Sequence, residues 1–152
     1  MTLAPASEED LATCLEACAA FFEQVDQEPS VRELLDEKPP GPCEKEVLGV
    51  FDPDLVGVVD LLHGYPTPDT CFIGLLVLLP EVRGRGLGRR VEQALMERGS
   101  AAKVRLAVNH SNPQGRAFWE SCGYRVIADV PLREAADPTP TCWLMQKRLR
   151  WF

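Results

Sequence analysis

The alternation of apolar and polar positions divides the first third of the chain into helical segments. Apolar residues recur at helical spacing over residues 11–22, behind a serine and three acids at residues 7–10 that suit a helix start. A second helix is predicted to begin at Ser30, with Glu33 completing a capping box, and to end before Pro39. A short strand is predicted before them at residues 2–4.

The rest of the chain alternates between apolar runs and helical patterns. Residues 47–51 and 55–62 flank the turn sequence Asp52-Pro53-Asp54 and predict a hairpin. Residues 71–79 form a near-continuous apolar run, typical of a central strand buried on both faces. Further strands are predicted at residues 104–108, 124–130 and 142–149, with helices at 87–99 and 114–122 and a polar loop at 133–141.

Length and composition narrow the class of protein. A chain of 152 residues with 45% hydrophobic content predicts one domain, 1–152. The longest apolar run is far shorter than the roughly 20 residues of a membrane span, so no membrane partner and a cytoplasmic location are expected. A net charge of −7 argues against nucleic acid as a partner. Six cysteines without CxxC pairs predict reduced thiols and no metal site.

A glycine- and arginine-rich stretch separates the apolar strand from the helix that follows it. Residues 83–88 read RGRGLG, and two more arginines follow at once. Where a strand is followed by such a loop and then by a helix, the first turn of the helix has free backbone N–H groups, and glycine lets an anion approach them closely. The spacing is neither GxGxxG nor a nucleotide P-loop. The stretch therefore predicts a phosphate or pyrophosphate site.

Two segments resemble motifs of the GCN5-related N-acetyltransferases, the GNAT family. Residues 77–88 are similar to the family's cofactor motif R/Q-x-x-G-x-G/A after a strand, with Arg83, Gly86 and Gly88 at its fixed positions. Residues 108–124, VNHSNPQGRAFWESCGY, look like the family's V-N-x-x-N-x-x-A-x-x-F-Y-x-x-x-G-F segment. Two ordered motifs are more specific than either alone.

The resemblance implies an α/β (α+β) fold: a mixed, mostly antiparallel sheet flanked by helices, with a splayed central strand pair. Acetyl-CoA would be the co-substrate, its amide arm pairing with backbone of the apolar strand like an added β-strand. Its pyrophosphate would lie on the amides of the glycine loop. The implied cofactor-binding residues are Leu76, Val77, Leu78, Leu79, Arg83, Gly84, Arg85, Gly86, Leu87, Gly88, Arg89, Asn112 and Trp119.

The family reaction is attack of an amine on an acetyl thioester, which needs a proton acceptor and a stabilised oxyanion. Many relatives carry a glutamate on the strand before the glycines, but here that strand is apolar. Asp60, taken as the end of the preceding strand, is the first candidate for the base, and His63 is the second. The backbone N–H of Val77 is the expected oxyanion donor.

One departure from the family pattern concerns the general acid. The position of the family's tyrosine falls on Trp119, whose indole N–H cannot supply a proton to a thiolate. The thiolate would then leave unassisted, or take its proton from water or from the new ammonium. A CoA-binding module that has lost catalysis therefore stands as the alternative to an active N-acetyltransferase. A nucleotide-binding domain is a third reading.

The acceptor amine is not identified by any motif. A cationic acceptor is compatible with the acids at Glu23, Asp26, Glu28, Glu33, Asp36 and Glu37, although a solvated helix face is their more ordinary explanation. The apolar residues Leu149, Trp151 and Phe152 at the end of the chain are compatible with a homodimer or with docking on their own domain.

Overall fold

The computed structural model describes residues 1–131 and 137–149. The predicted polar loop at 133–141 falls partly outside these residues, and Trp151 and Phe152 lie wholly outside them. The helices are α1 (Glu8–Ala17), α2 (Ala19–Gln24), α3 (Val31–Asp36), α4 (Leu87–Arg98) and α5 (Pro113–Ser121). The strands are β1 (Thr2–Ala4), β2 (Glu44–Phe51), β3 (Leu55–His63), β4 (Thr70–Leu78), β5 (Lys103–Asn109), β6 (Arg125–Val130) and β7 (Cys142–Arg148). None of the helices in the described ranges is long and apolar enough to cross a membrane.

The first two predicted helix starts are confirmed by their caps. The Ser7 side chain accepts a hydrogen bond from the backbone N–H of Asp10, and the Ser30 side chain accepts one from Glu33. The predicted continuous first helix is wrong, because it breaks at Cys18 into α1 and α2. There the N–H of Cys18 bonds to the carbonyl of Leu15, which tightens the last turn of α1.

The sheet confirms the mixed, mostly antiparallel architecture. Its seven strands run in the order β1-β2-β3-β4-β5-β7-β6, and β4 with β5 is the parallel pair. These two strands pair only from Thr70 opposite Lys103 to Ile73 opposite Leu106. Beyond that point β4 continues to Leu78 and β5 to Asn109 without pairing to each other. The central pair is therefore splayed, as the resemblance implied.

A β-bulge marks the point where β4 leaves β5. Asp60 of β3 lies opposite Leu75, whereas its neighbour Leu61 lies opposite Ile73, so Gly74 is an extra residue in β4. A Cβ atom on Gly74 would lie 2.7 Å from the Asp60 carboxylate. Glycine is therefore needed where the carboxylate closely approaches the backbone of the bulge.

Helices cover both faces of the sheet and bury two apolar clusters. In one cluster, helices α1, α2 and α3 pack against the face of β3 and β4 that carries Val58 and Val77. The other joins α4 and α5 to the opposite face. The prediction that β4 is buried on both faces along its length is wrong, because only Thr70, Ile73 and Val77 of this strand are buried. The splay leaves the rest of β4 beside an open gap.

Candidate active site

The gap between β4 and β5 opens into a cavity of about 1530 Å³. One end of the cavity is bounded by the glycine loop and the start of α4. The other end is bounded by α3, the segment before it and the cleft-facing side chains of β2, β3 and β5. The cavity is thus one cleft lined by the glycine loop, by α3 and by the unpaired parts of β4 and β5.

The glycine loop supplies the anion-binding end of this cleft. Gly84 and Gly86 have φ of 76° and 79°, a left-handed conformation that glycine adopts without strain. The first helical hydrogen bond of α4 runs from Arg90 N–H to Gly86 carbonyl, at 3.2 Å. The N–H groups of the first turn before Arg90 consequently have no partner within the helix, and they can bind an anion.

Glycine is required at a third position of the loop for a different reason. A Cβ atom on Gly88 would lie 3.0 Å from the ring of Phe118 on α5, so the missing side chain lets α4 and α5 approach closely. Both residues line the cleft. A larger residue at this position would require the Phe118 ring to shift within the cleft.

The arginines of the loop have different surroundings. Arg83 donates from Nε to the carbonyl of Leu78 at 2.9 Å, which ties the loop to the end of β4. Arg83, Gly84, Gly86, Leu87, Gly88 and Arg89 line the cleft. Arg85 is exposed in the loop and does not line it, so its contact with a cofactor stays a prediction.

The backbone amides of β4 correct the expected oxyanion donor. The N–H of Leu79 donates to the carbonyl of Val56 on β3 at 2.8 Å. Because amide directions alternate along a strand, the N–H of Val77, which lies opposite Val58, also points to β3. The amides of Leu76 and Leu78 point into the gap instead. The assignments of Val77 as oxyanion donor and of Leu79 as a backbone partner for the arm are therefore wrong.

The far wall of the gap comes from α5 and the loop before it. Asn112 caps α5, since its side chain accepts a hydrogen bond from Gly115 N–H at 3.0 Å, and it also lines the cleft. Trp119 lines the cleft as well, but it is only 8% exposed. Its ring packs edge-on against Phe118 and Tyr124. Trp119 is thus a rigid apolar wall at the position of the family's tyrosine.

Tyr124 does not replace the missing general acid. Its hydroxyl donates to the buried carboxylate of Glu92 at 3.3 Å, and the side chain is 3% exposed. Burial raises the pKa of Tyr124 far above its usual range, with the charge of Glu92 adding to the effect. Burial also raises the pKa of the neighbouring Cys122 thiol. Neither residue lines the cleft.

Asp60 lies three residues before the end of β3, near the strand end as predicted, although the strand runs one residue beyond the predicted residue 62. The strand continues because Leu61, Leu62 and His63 keep pairing with β2, up to Glu44 opposite His63. The Asp60 side chain lines the cleft beside the bulge, and the residue is 9% exposed. Lys45 Nζ lies 2.9 Å from both of its carboxylate oxygens. A buried ion pair therefore sits where β4 and β5 separate.

His63 lies on the opposite face of the sheet from Asp60. Side chains alternate along β3, so Asp60 and Leu62 line the cleft, whereas Leu61 and His63 line a separate cavity of about 290 Å³. His63 Nε2 is 3.1 Å from Glu46, whose pKa is lowered mainly by a hydrogen bond from Arg98. The structure does not bring His63 together with Asp60, and its assignment as a base is wrong.

Several residues of the cleft escaped the sequence analysis. Lys45, Phe72 and Arg105 line the cleft, together with Tyr65, whose ring packs edge-on against Phe72. The alternation of side chains along a strand is the signal in the sequence that could have found Phe72. Residues two apart lie on the same face, so Phe72 lies on the face of Gly74, the extra residue of the bulge. Of the six predicted acids, Glu28, Glu33 and Glu37 line the cleft.

The described part of the chain holds no group of three or more His, Cys, Asp or Glu side chains that could ligate a metal. All six cysteines are free thiols. Cys14 and Cys18 are both buried, and Cys18 Sγ donates to the carbonyl of Leu78 at 3.6 Å. The neighbouring Cys14 and the positive charge of Arg83 lower the pKa of Cys18.

The splayed parallel pair, the helix start with free N–H groups and the buried ion pair thus lie along one cleft. Sequence comparison identifies the family: the Acetyltransferase (GNAT) family matches residues 11–124. The chain belongs to the GNAT family of acetyltransferases. No curated protein matches the sequence significantly.

Solved structures agree with this assignment at the level of the fold. An acetyltransferase from Thermus thermophilus superposes with a TM-score of 0.78 at 21% identity, covering 97% of this chain and 96% of that one. The ribosomal-protein-S18-alanine N-acetyltransferase from Escherichia coli gives 0.67 at 16% identity, covering 99% and 95%. The PaiA N-acetyltransferase from Thermoplasma acidophilum, in complex with coenzyme A, gives 0.63 at 19% identity, covering 97% and 98%.

Proposed function

We propose that this protein transfers the acetyl group of acetyl-CoA to a primary amine by direct attack within a ternary complex. The observation that carries the proposal is the splay between β4 and β5, which leaves unpaired strand backbone beside the glycine loop in one cleft. An extended amide arm fits unpaired strand edges, and a pyrophosphate fits a helix start. The cleft is also large enough for a cofactor and an acceptor together.

In this proposal the residues of the cleft divide the binding of acetyl-CoA between them. The gap-facing amides of Leu76 and Leu78 pair with the arm, and Asn112 with Trp119 forms its other wall. The N–H groups of the loop and of the first turn of α4 bind the pyrophosphate, and Arg83 and Arg89 supply positive charge there. Acetyl-CoA supplies an activated thioester, which an amine attacks without any metal.

The catalytic roles follow from the position of the bulge. Asp60 is the proposed proton acceptor for the incoming ammonium, directly or through water, because its carboxylate lies against Gly74 at the opening of the gap. The N–H of Leu76, two residues further along β4, is the proposed donor to the tetrahedral oxyanion. Because Trp119 cannot donate a proton, the thiolate departs without a side-chain acid. This departure is chemically feasible, since the pKa of a thiol is well below that of an amine and the thiolate is a good leaving group.

A CoA-binding module without catalysis is the second candidate, and Trp119 is the observation that favours it. Tryptophan replaces the family's proposed acid, and burial disables Tyr124 for that role. Turnover separates the two candidates. The purified protein is mixed with acetyl-CoA and a panel of primary amines, and thiol release is followed together with acetyl-amine formation by mass spectrometry. We expect both products in equal amounts. No thiol release above the rate without protein would favour the binding module, whereas release without any acetylated amine would indicate hydrolysis of the thioester and contradict both candidates.

A further inference from the structure

The sheet itself forms the floor of the cleft at its acceptor end. Lys45 on β2 lies opposite Leu62 on β3, and Leu62 lies opposite Phe72 on β4. Phe72 in turn lies opposite Arg105 on β5. All four side chains line the cleft. The floor is thus a row with a basic residue at each end and apolar residues between them.

The two basic residues of this row differ in their partners. Lys45 is held by Asp60, with its Nζ 2.9 Å from the carboxylate, so its charge is matched inside the protein. Arg105 donates from Nε to Gln146 Oε1 at 2.7 Å, and Gln146 is 9% exposed. Within residues 1–131 and 137–149, no carboxylate forms an ion pair with Arg105. Its terminal Nη atoms have no described hydrogen-bond partner either.

This arrangement presents a fixed guanidinium to the acceptor. The hydrogen bond to Gln146 fixes the orientation of the Arg105 guanidinium through Nε, the nitrogen attached to the aliphatic part of the side chain. The two Nη groups remain to donate in parallel, which is the geometry that a carboxylate accepts in bidentate fashion. A built-in, half-buried guanidinium with an unmatched charge favours an anionic group in the molecule that occupies the floor.

We propose that Arg105 binds a carboxylate of the acceptor, so that the acceptor is a small zwitterionic amine of the amino-acid type. The inference rests on the proposed function, since it names the acceptor class of the same cleft. The ammonium would be drawn in by the exposed Glu28 and Glu33, which line the cleft, and the carboxylate would be held at the floor. A purely cationic acceptor would place positive charge against Arg105.

The spacing along β4 sets the size of this acceptor. Arg105 lies opposite Phe72, which is two residues from Gly74 at the bulge, or roughly 7 Å at about 3.3 Å per strand residue. The Arg105 side chain shortens the distance to be bridged. An amine and a carboxylate separated by a short carbon chain would span it, with that chain packing on Phe72 and Tyr65.

The test compares three primary amines: 4-aminobutyrate, pentylamine of similar length, and a peptide amide with a free N-terminus and an acidic second residue. Binding of each to the CoA-saturated protein is measured by calorimetry, and kcat and KM for acetylation are measured separately. The variants are Arg105→Gln, Arg105→Lys and the control Arg125→Gln. Arg125 is an exposed arginine opposite Gln146 on β6 and outside the cleft.

We expect the natural protein to bind a carboxylate-bearing amine about tenfold or more tightly than pentylamine. Arg105→Gln should remove that preference by raising Kd and KM for the carboxylate-bearing amine about tenfold to a hundredfold, with kcat and pentylamine binding unchanged. Arg105→Lys should recover part of it, because a lysine keeps the charge but not the bidentate fork. Arg125→Gln should behave as the natural protein. Preference for the peptide with the same dependence on Arg105 would uphold the carboxylate site but contradict the assignment to a small amino-acid-type acceptor.

Two results would overturn the inference. One is equal binding of 4-aminobutyrate and pentylamine by the natural protein. The other is a loss in Arg105→Gln that is the same for both amines. Arg105-dependent binding of the carboxylate without any acetylation would instead uphold the inference and contradict the proposed transferase activity, so the two failures are distinguishable. Thermal unfolding of each variant checks that the floor is intact.

Discussion

Replacing Asp60 by asparagine should lower kcat for amine acetylation by about 100-fold to 10,000-fold, the range typical for loss of a general base. Asparagine keeps the shape of the side chain beside Gly74 but cannot accept a proton from the attacking ammonium. The KM for acetyl-CoA should stay the same, because Asp60 lies beyond the bulge from the loop that is proposed to hold the cofactor. Steady-state kinetics with saturating acceptor measures this effect.

Two further variants separate catalysis from stability. Asp60→Asn also leaves Lys45, whose side chain is 10% exposed, without its carboxylate, and an unpaired buried charge is destabilising. The double variant with Lys45→Met should therefore regain stability but not activity. Glu46→Gln changes a carboxylate on the opposite face of the sheet and should leave kcat unchanged. Recovery of activity together with stability in the double variant would show that Asp60 is only structural.

Removing a single backbone N–H at Leu76 should lower kcat by about 100-fold to 1,000-fold, the typical cost of losing one oxyanion donor. The change is made by replacing Leu76 with its α-hydroxy acid, which converts the amide to an ester and leaves every side chain in place. The amide direction derived from the bond of Leu79 to Val56 predicts this effect at Leu76. Single-turnover kinetics with bound acetyl-CoA reports the chemical step.

The same substitution at Val77 is the matched control. Its N–H points to β3, so the ester should cost one inter-strand hydrogen bond, about 0.5–1.5 kcal/mol of stability, with little change in the chemical step. Thermal unfolding and single-turnover kinetics on both esters give the comparison. A larger catalytic loss at Val77 than at Leu76 would reverse the assignment and restore the expectation drawn from the sequence.

The elements with local signals could be predicted from the sequence. The serine caps of α1 and α3 and the asparagine cap of α5 are short-range hydrogen bonds between residues three apart, so the residue types alone indicate them. The glycine loop could be predicted for the same reason. Its left-handed glycines and the helix that follows are determined by a few neighbouring residues.

The features that depend on neighbouring strands could not be predicted in the same way. The apolar sequence of β4 is typical of a strand buried on both faces, yet β5 diverges after Ile73 and leaves much of β4 partly exposed. Pairing with β2 extends the strand of Asp60 to His63, one residue beyond its predicted end. The direction of the Val77 amide depends on the register with β3, which no periodicity within β4 reveals.

The acceptor end shows the same limit more strongly. Arg105 and Gln146 are far apart in the sequence, and neither belongs to a motif, but the antiparallel pairing of β5 with β7 places them side by side. Six acids before β2 suggested a cationic acceptor, and three of them do line the cleft. Because the floor also carries the Arg105 guanidinium, the acids and the arginine together favour an acceptor with both a positive and a negative group. Charge recognition at this end arises from the sheet register and not from any one segment.

The most direct test of the central claim is calorimetric titration of the protein with acetyl-CoA, with ATP as the competing anion. The Arg83→Ala, Arg85→Ala double variant is compared with the Arg125→Ala, Arg148→Ala control, which removes two exposed arginines outside the cleft. We predict one acetyl-CoA per chain, binding at least tenfold weaker for ATP, and about tenfold weaker acetyl-CoA binding in the loop variant only. Binding of ATP equal to that of acetyl-CoA, or no binding of acetyl-CoA at millimolar concentration, would contradict the cofactor site.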